Sequence, residues 1–457
     1  KTIKKGHIIF DLNLNFDETG NIKNDYQLKG VLKDLKINFF NQNIFENINF
    51  NFNFKKNNYL FEEIKLEASK VVFNSNTINI KKIKNNYIAE GIIENKKSIL
   101  NKNFLKLLNL ELKNLDLKES NFISKNKFFL EIDNKLNVKN FDLDSDLSID
   151  QLKYNQQDLL KKYFPKSEKI IIFRDQKIKF KYLNNELFIK GKGEIKLEKN
   201  FDYIKYSISK KGDDYNIISN INFEHLSLKK NINLKNIFPK INDQIILKNQ
   251  IINLEYKNKN LLISGNGKIK LDKKLENINY IISKNKKKFN FDLNLDLTET
   301  KFQLAPLNYQ INKKSQTLLK INANYQDGKG IIINNFSILE ENNIIKISNL
   351  ILDESNLIVQ VDEVNFDYFD IENKQNKLII KKLDKSNYEL NGLYFNANKL
   401  ITQFLNNKDK IKDNIFKNNI SLNLNIEEVF IDKIYFIKSL EGNLFIKNNK
   451  INSANFS

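Results

Sequence analysis

Two histidines, no cysteine and a scatter of carboxylates are what this 457-residue chain offers to chemistry. Without cysteine there is no thiol nucleophile, no Cys-ligated zinc, no iron–sulfur cluster and no disulfide scaffold. His7 and His225 are too few and too far apart for a histidine-based metal set. Asp142, Asp144, Asp146 and Asp150 have a cation ladder's spacing, but the glycine turn and closing glutamate of an EF-hand loop are missing. Their period of two is that of a strand's wet face. Ser264-Gly265-Asn266-Gly267-Lys268 touches on a phosphate loop, which needs GxxxxGK[ST] between a strand and a helix. The residues that follow alternate as a strand, and the related Lys190-Gly191-Lys192-Gly193-Glu194 lacks the final lysine. These glycines are expected to allow a bulge or a close backbone approach, and to thin an apolar face at that point. No nucleophile, base and orienter can be grouped by spacing. The chain reads as a non-enzyme needing no cofactor and no metal.

Charge points to less than its size suggests. Lys and Arg total 75 against 55 Asp and Glu, for a net +20. Only Arg174 is an arginine, so the guanidinium fork that reads bases and grips phosphates is nearly missing, and nucleic acid is not expected as a partner. Apolar residues make 41%, with 35 Phe and 17 Tyr, and mean hydropathy is −0.50. That is too apolar for disorder and too polar for a polytopic membrane protein. No stretch reaches the ~20 apolar residues of a membrane span, so any anchor or export signal is expected upstream of Lys1.

The elements that would position these residues are strands. Phe10, Leu12, Leu14 and Phe16 alternate with polar neighbours, as do Ile48, Phe50, Phe52 and Phe54. Such alternation predicts one apolar and one wet face. Asn184-Asn185 and Asn448-Asn449 are expected hairpin turns, and short connections predict an antiparallel meander. At about 11 residues per strand and turn, the chain has room for roughly 40 strands. Helices are expected only at 151–164, ended by Pro165, and at 398–417, where Leu400, Ile401, Phe404, Leu405, Ile411 and Ile415 form one stripe.

The chain also repeats itself. Shifted by 74, residues 164–210 align without a gap on 238–284, and 22 of the 47 positions are identical. Phe164-Pro165-Lys166 meets Phe238-Pro239-Lys240, and Gly191, Gly193 and Tyr206 meet Gly265, Gly267 and Tyr280. Stacked units of this kind build along one dimension. The expected organisation is an N-terminal β-rich region (1–145), two repeat units (146–219 and 220–293) and a C-terminal β region (294–457).

In that last region, residues 293–309 (LNLDLTETKFQLAPLNY) and Gly392-Leu393-Tyr394-Phe395-Asn396-Ala397 before the expected helix resemble segments of the AsmA-like family of proteobacterial envelope proteins, the YhdP/TamB type. Asn396 stands where that family usually has aspartate, and Tyr309 where tryptophan is common. The likeness covers about 160 residues and carries no catalytic residue. It implies a long bent sheet forming a hydrophobic trough, anchored in the inner membrane, crossing the periplasm and conducting phospholipid toward the outer membrane.

The fold expected is therefore all-β: an elongated, curved, mostly antiparallel repeat sheet forming a hydrophobic groove, with a few short helices. Period-two parity assigns the groove lining to Ile178, Phe180, Tyr182, Leu187, Ile189, Ile195 and Leu197 in one repeat. In the other it assigns Ile252, Leu254, Tyr256, Leu261, Ile263, Ile269 and Leu271. The expected partners are phospholipid acyl chains, the inner membrane through an upstream anchor, and outer-membrane or envelope proteins. A 16-carbon tail in water faces a barrier of roughly 12 kcal/mol at about 0.8 kcal/mol per CH₂, which such a floor would largely remove. The alternative reading is a structural envelope spacer, or an assembly factor offering its apolar face to a client strand.

Overall fold

The computed structural model describes residues 2–23, 25–39, 43–107, 114–156, 160–229, 234–311, 315–326, 328–399, 401, 416–432, 434–448 and 450–457. The fold is all-β, and 27 strands form one open, antiparallel-dominated sheet. The chain divides into two compact units, residues 1–162 with 166–221, and residues 163–165 with 222–457.

In the first unit, β1 (Thr2–Asn13), β2 (Gln27–Phe39), β3 (Asn43–Lys55), β4 (Asn58–Ala68), β5 (Val71–Ile83) and β6 (Asn86–Ile99) pair in chain order. A short helix, α1 (Lys102–Leu107), and a two-residue strand, β7 (Leu115–Asp116), follow. The ladder resumes with β8 (Asn121–Asp133), β9 (Val138–Asn155), β10 (Ile170–Leu183), β11 (Glu186–Lys196) and β12 (Phe201–Lys211). β7 continues the edge of β9 that β8 leaves free. β13 (Asp214–Lys229) spans the division between the units.

The second unit continues with β14 (Gln244–Lys257), β15 (Asn260–Lys270), β16 (Leu275–Asn285) and β17 (Lys288–Leu297). A small separate ladder, β18 (Gln303–Leu304) with β19 (Tyr309–Gln310), brackets a 3₁₀ turn at Ala305–Leu307. Then come β20 (Thr317–Gln326), β21 (Gly330–Glu340), β22 (Asn343–Leu352), β23 (Ile358–Gln360), β24 (Glu363–Phe369), β25 (Gln375–Lys382) and β26 (Asn387–Asn396). β27 (Ile420–Phe430), β28 (Phe436–Lys447) and β29 (Lys450–Phe456) complete the sheet. β26 and β27 pair in parallel, which requires the crossover between Asn396 and Ile420.

The strands are fewer than the roughly 40 expected because they are long: β9 runs 18 residues and β13 runs 16. Tight turns keep them long. Asn184 and Asn185 both have positive φ (51° and 62°), as do Asn258 and Lys259 in the second repeat (50° and 64°). Two successive left-handed residues match the strands' own twist, and asparagine tolerates that region better than most side chains.

The helix expected at 151–164 does not form over its first third. Residues 151–155 complete β9, with Gln151, Leu152 and Lys153 opposite Arg174, Phe173 and Ile172. A long partner strand offers each of these residues ladder bonds and a cross-strand neighbour, which outweighs a weak helical stripe. Residues 160–163 are turns. Of the helix expected at 398–417, Asn398, Lys399 and Ile401 are helical, and 402–415 lie outside the described residues.

The repeat is reproduced element by element. β10, β11 and β12 recur as β14, β15 and β16 with both ends displaced by 74. The bulge between Arg174 and Lys177 recurs between Lys248 and Ile251.

Candidate functional site: the in-register apolar face

Directly opposed residues in a ladder share a face, so the register alone shows what each face carries. In the first unit one row runs Phe10, Gly30, Phe52, Phe61, Ile78, Gly91, Phe128, Leu143, Tyr182 and Leu187 across ten strands. In the second unit a row runs Ile252, Gly265, Tyr280, Leu293, Ile321, Phe336 and Ile347. It continues through Val364, Ile380, Leu390, Leu424, Gly442 and Phe456. Every position in both rows is apolar or glycine, in a chain with 28% charged residues, and the first row ends at β11 because Leu187 opposes Lys210 on β12. Slippage by one residue in either direction would put a polar side chain into the row at strands such as β3, β17 and β26, where Phe52, Leu293 and Leu390 have polar neighbours on both sides.

Twelve of the fourteen residues expected to line a groove lie in these ladders, and Leu197 and Leu271 fall in bends just past β11 and β15. Ile178, Phe180 and Tyr182 oppose Gly191, Ile189 and Leu187, and Ile252, Leu254 and Tyr256 oppose Gly265, Ile263 and Leu261. Ile195, Leu197, Ile269 and Leu271 are buried (8, 6, 7 and 3% exposed), whereas the other ten are half-buried. The difference follows position along the strand. Ile195 and Ile269 sit near the ends of β11 and β15 away from the hairpin tips, and Leu197 and Leu271 lie just beyond those ends. In the first unit, α1 packs near the same ends, where Leu105 joins Val71, Leu100, Leu117, Phe122 and Ile149. Toward the tips the side chains stay partly open.

The repeat's glycines do not thin the face, as the sequence suggests, but are filled from the neighbouring strand. The Tyr206 ring lies over Gly191 and the Tyr280 ring over Gly265, so a Cβ at either glycine would overlap the ring. Burial pushes the Tyr206 hydroxyl up, and the Tyr280 hydroxyl up to about 12, so both stay neutral. Beside each ring sits a bulge glutamine. Gln176 and Gln250 are 2% and 0% exposed. Gln176 Nε2 donates to the carbonyls of Arg174 (2.9 Å) and Glu194 (3.0 Å). Gln250 Nε2 donates to those of Lys248 (3.3 Å) and Lys268 (3.0 Å). Each amide satisfies carbonyls that the bulge leaves unpaired, and each occupies the space over Gly193 or Gly267. Sequence alignment pairs these tyrosines and glutamines, but nothing in their spacing reveals what they fill.

The opposite face is wet and salted. The aspartates with a cation ladder's spacing meet lysines: Asp144 pairs with Lys181 (2.8 Å), Asp146 with Lys179 (3.7 Å) and Asp150 with Lys97 (2.8 Å). The hydrogen bond and charge of Asp144 hold the Lys181 ammonium above its ordinary range. No group of His, Asp and Glu suited to a metal ion occurs among the described residues. His7 is exposed, and His225 is half-buried with Nε2 3.4 Å from Ser227 Oγ. Ser264–Lys268 lies wholly within β15, without the helix a phosphate loop needs.

The two positions that depart from the AsmA-like pattern are both interior. Tyr309 is 1% exposed, and its hydroxyl donates to Glu340 Oε2 at 3.0 Å, with its ring edge-on to Tyr368 at 5.4 Å. Asn396 is 6% exposed, and its Nδ2 donates to Asp370 Oδ2 at 2.6 Å and Glu372 Oε2 at 3.3 Å. An aspartate there would add a third carboxylate to a group that now has a donor.

No helix among the described residues is long and apolar enough to cross a membrane. No family model, curated protein or solved structure matches the chain.

Proposed function

We propose that the apolar face binds lipid acyl chains, and that the protein is a non-catalytic conduit moving phospholipid between the inner and outer membranes of a bacterial envelope. On this reading it works in the periplasm, held to the inner membrane by an anchor outside this segment. The observation that carries the proposal is the pair of unbroken in-register rows, ten and thirteen residues long, apolar or glycine throughout. A tail lying across successive strands would exchange one apolar bed for the next every ~4.8 Å and keep its methylenes out of water. The likeness of 293–309 and 392–397 to AsmA-like segments agrees with this reading, and the buried strand ends give it a floor. Movement on such a surface is diffusive unless a partner drives it.

The test places a charge on the bed. Ile189→Asp with Ile263→Asp should abolish photocrosslinking of lipid to the neighbouring Phe180 and Leu254 positions while circular dichroism keeps its strand signal. Persistent crosslinking in a folded variant would show that the apolar bed at Ile189 and Ile263 is not what holds the lipid.

A second reading, an assembly factor for outer-membrane proteins, draws on β1. Its Ile3, Ile8, Ile9 and Phe10 are 72, 55, 74 and 53% exposed, and its only described ladder partner is β2. Such an edge suits strand addition by a client.

A further inference from the structure

The polar face of the first repeat carries a concentration of charge that the fold does not require. Lys177, Lys192 and Lys205 stand directly opposite one another on β10, β11 and β12, and Lys179 opposes Lys190 in the adjacent row. Like charges placed opposite each other across a ladder destabilise it. One carboxylate answers them: Asp146, 3.7 Å from Lys179. Lys177, Lys190, Lys192 and Lys205 have no ion-pair partner among the described residues, whereas Lys181 and Arg174 in the flanking rows are paired with Asp144 and Glu194. The five lysines are among the residues lining a concavity of about 690 Å³, together with Asp146, Ser148, Ser207 and Ile218.

The second repeat supplies an internal control. At the positions displaced by 74 it carries Ile251, Asn266, Asn279, Asn253 and Ser264, in the same ladder register. The same backbone is built with no charge at any of the five positions. The lysines are therefore a property of the first copy alone.

We propose that this patch binds a soluble ligand bearing two or more phosphate groups. Neighbouring lysines in a row stand ~4.8 Å apart and the two rows ~7 Å apart, a grid that a chain of linked phosphates can span while touching three or more ammonium groups. A single carboxylate neutralises one lysine and leaves the grid charged. The ligand approaches from the face opposite the apolar rows, so it does not share the acyl-chain bed, and this inference stands apart from the proposed lipid function. The attraction is electrostatic and partly exposed, so it must weaken with salt.

The experiment is calorimetric titration of the whole chain with inorganic tripolyphosphate at 20 and 200 mM salt. One site per chain is expected at low salt, weakened at least tenfold at high salt. Lys177→Ile with Lys192→Asn and Lys205→Asn installs the second repeat's own residues and should weaken binding at least tenfold with the strand signal unchanged. The converse graft, Ile251→Lys with Asn266→Lys and Asn279→Lys, should raise the stoichiometry to two, and it keeps the test decisive if the first variant fails to fold. The proposal is overturned by no binding at low salt, by unchanged binding in the triple variant, or by a graft that folds but adds no site. It is equally overturned if polyglutamate, or phosphatidylcholine vesicles containing cardiolipin, bind through these lysines while tripolyphosphate does not.

Discussion

A methyl group added at Gly265 should loosen the second repeat, against the usual effect of that change in a strand. A glycine inside a strand costs about 0.5–1 kcal/mol relative to alanine, so Gly265→Ala at an open position would stabilise. Here the new Cβ meets the Tyr280 ring, with Cε2 at 2.7 Å and Cζ and the hydroxyl closer still. Contacts under 3.0 Å cannot stand, and the ring is confined between its neighbours on β15 and β17. With three atoms of the tyrosine side chain overlapped, the cost falls in the upper half of the usual overpacking range, about 2–3 kcal/mol, which leaves a net loss of about 1–2 kcal/mol after the glycine gain. The opening equilibrium of β14–β16 should rise about 5- to 30-fold. Native-state hydrogen exchange is the assay, because a repeat-built chain need not unfold in one step and local opening is what changes. Amides of 260–270 and 275–285 should exchange faster, and those of β10–β12 should not change. Combining Gly265→Ala with Tyr280→Ala should remove the glycine variant's cost, a coupling of about 1–3 kcal/mol. Slower exchange in Gly265→Ala, or additivity in the double variant, would refute the ring-over-glycine account.

Two further outcomes follow from buried carboxylates. Glu276, 2% exposed, accepts from the backbone N–H groups of Thr298 (3.0 Å), Glu299 (3.0 Å) and Thr300 (2.7 Å) and from the Thr298 hydroxyl (2.8 Å). Burial would raise its carboxyl, but the donors from Thr300, Glu299 and Thr298 outweigh it and hold the group below its ordinary value. A lowered folded-state value means that its stabilisation is present above about pH 4.5 and fades as pH falls through the lowered value. Urea titrations from pH 7 to 3 should show that loss, and Glu276→Gln should cost about 1–3 kcal/mol at pH 7 and flatten this part of the profile. Asn396→Asp should destabilise the second unit by about 1–3 kcal/mol at pH 7, since it sets a carboxylate against Asp370 and Glu372 and removes the donor. Its deficit should shrink toward pH 4, where the group can share a proton; thermal melts at both pH values check this.

The period of two made the strands, their wet and dry faces and the duplication legible in advance. Asn184-Asn185 announced its hairpin, and parity puts Ile178, Phe180 and Tyr182 opposite Gly191, Ile189 and Leu187, as the register has them. What parity does not carry is the third dimension. It places Ile195 and Ile189 together, yet one is closed off near the strand end and the other stays half-open. It reads Gly191 and Gly265 as gaps, because the rings that fill them come from a strand some 15 residues further on. The bulges at Gln176 and Gln250 were invisible for a similar reason: a glutamine looks like any wet-face residue until a missing ladder bond turns it inward. Residues 151–155 show tertiary pairing overriding a local stripe, as β9 is held by β10 from Leu143 to Asn155. The aspartates at 142–150 needed the lysines across the ladder to reveal their use.

The measurement that bears most directly on the apolar face is native mass spectrometry, with lipid extraction, on the chain directed to the periplasm and purified without detergent. Lipid conduction predicts several phospholipids retained per chain, lost together when Ile189 and Ile263 become aspartate. A clean apo mass from a folded, protease-resistant protein would contradict it, and would mean that these apolar rows serve only to hold the strands to one another or to a protein client.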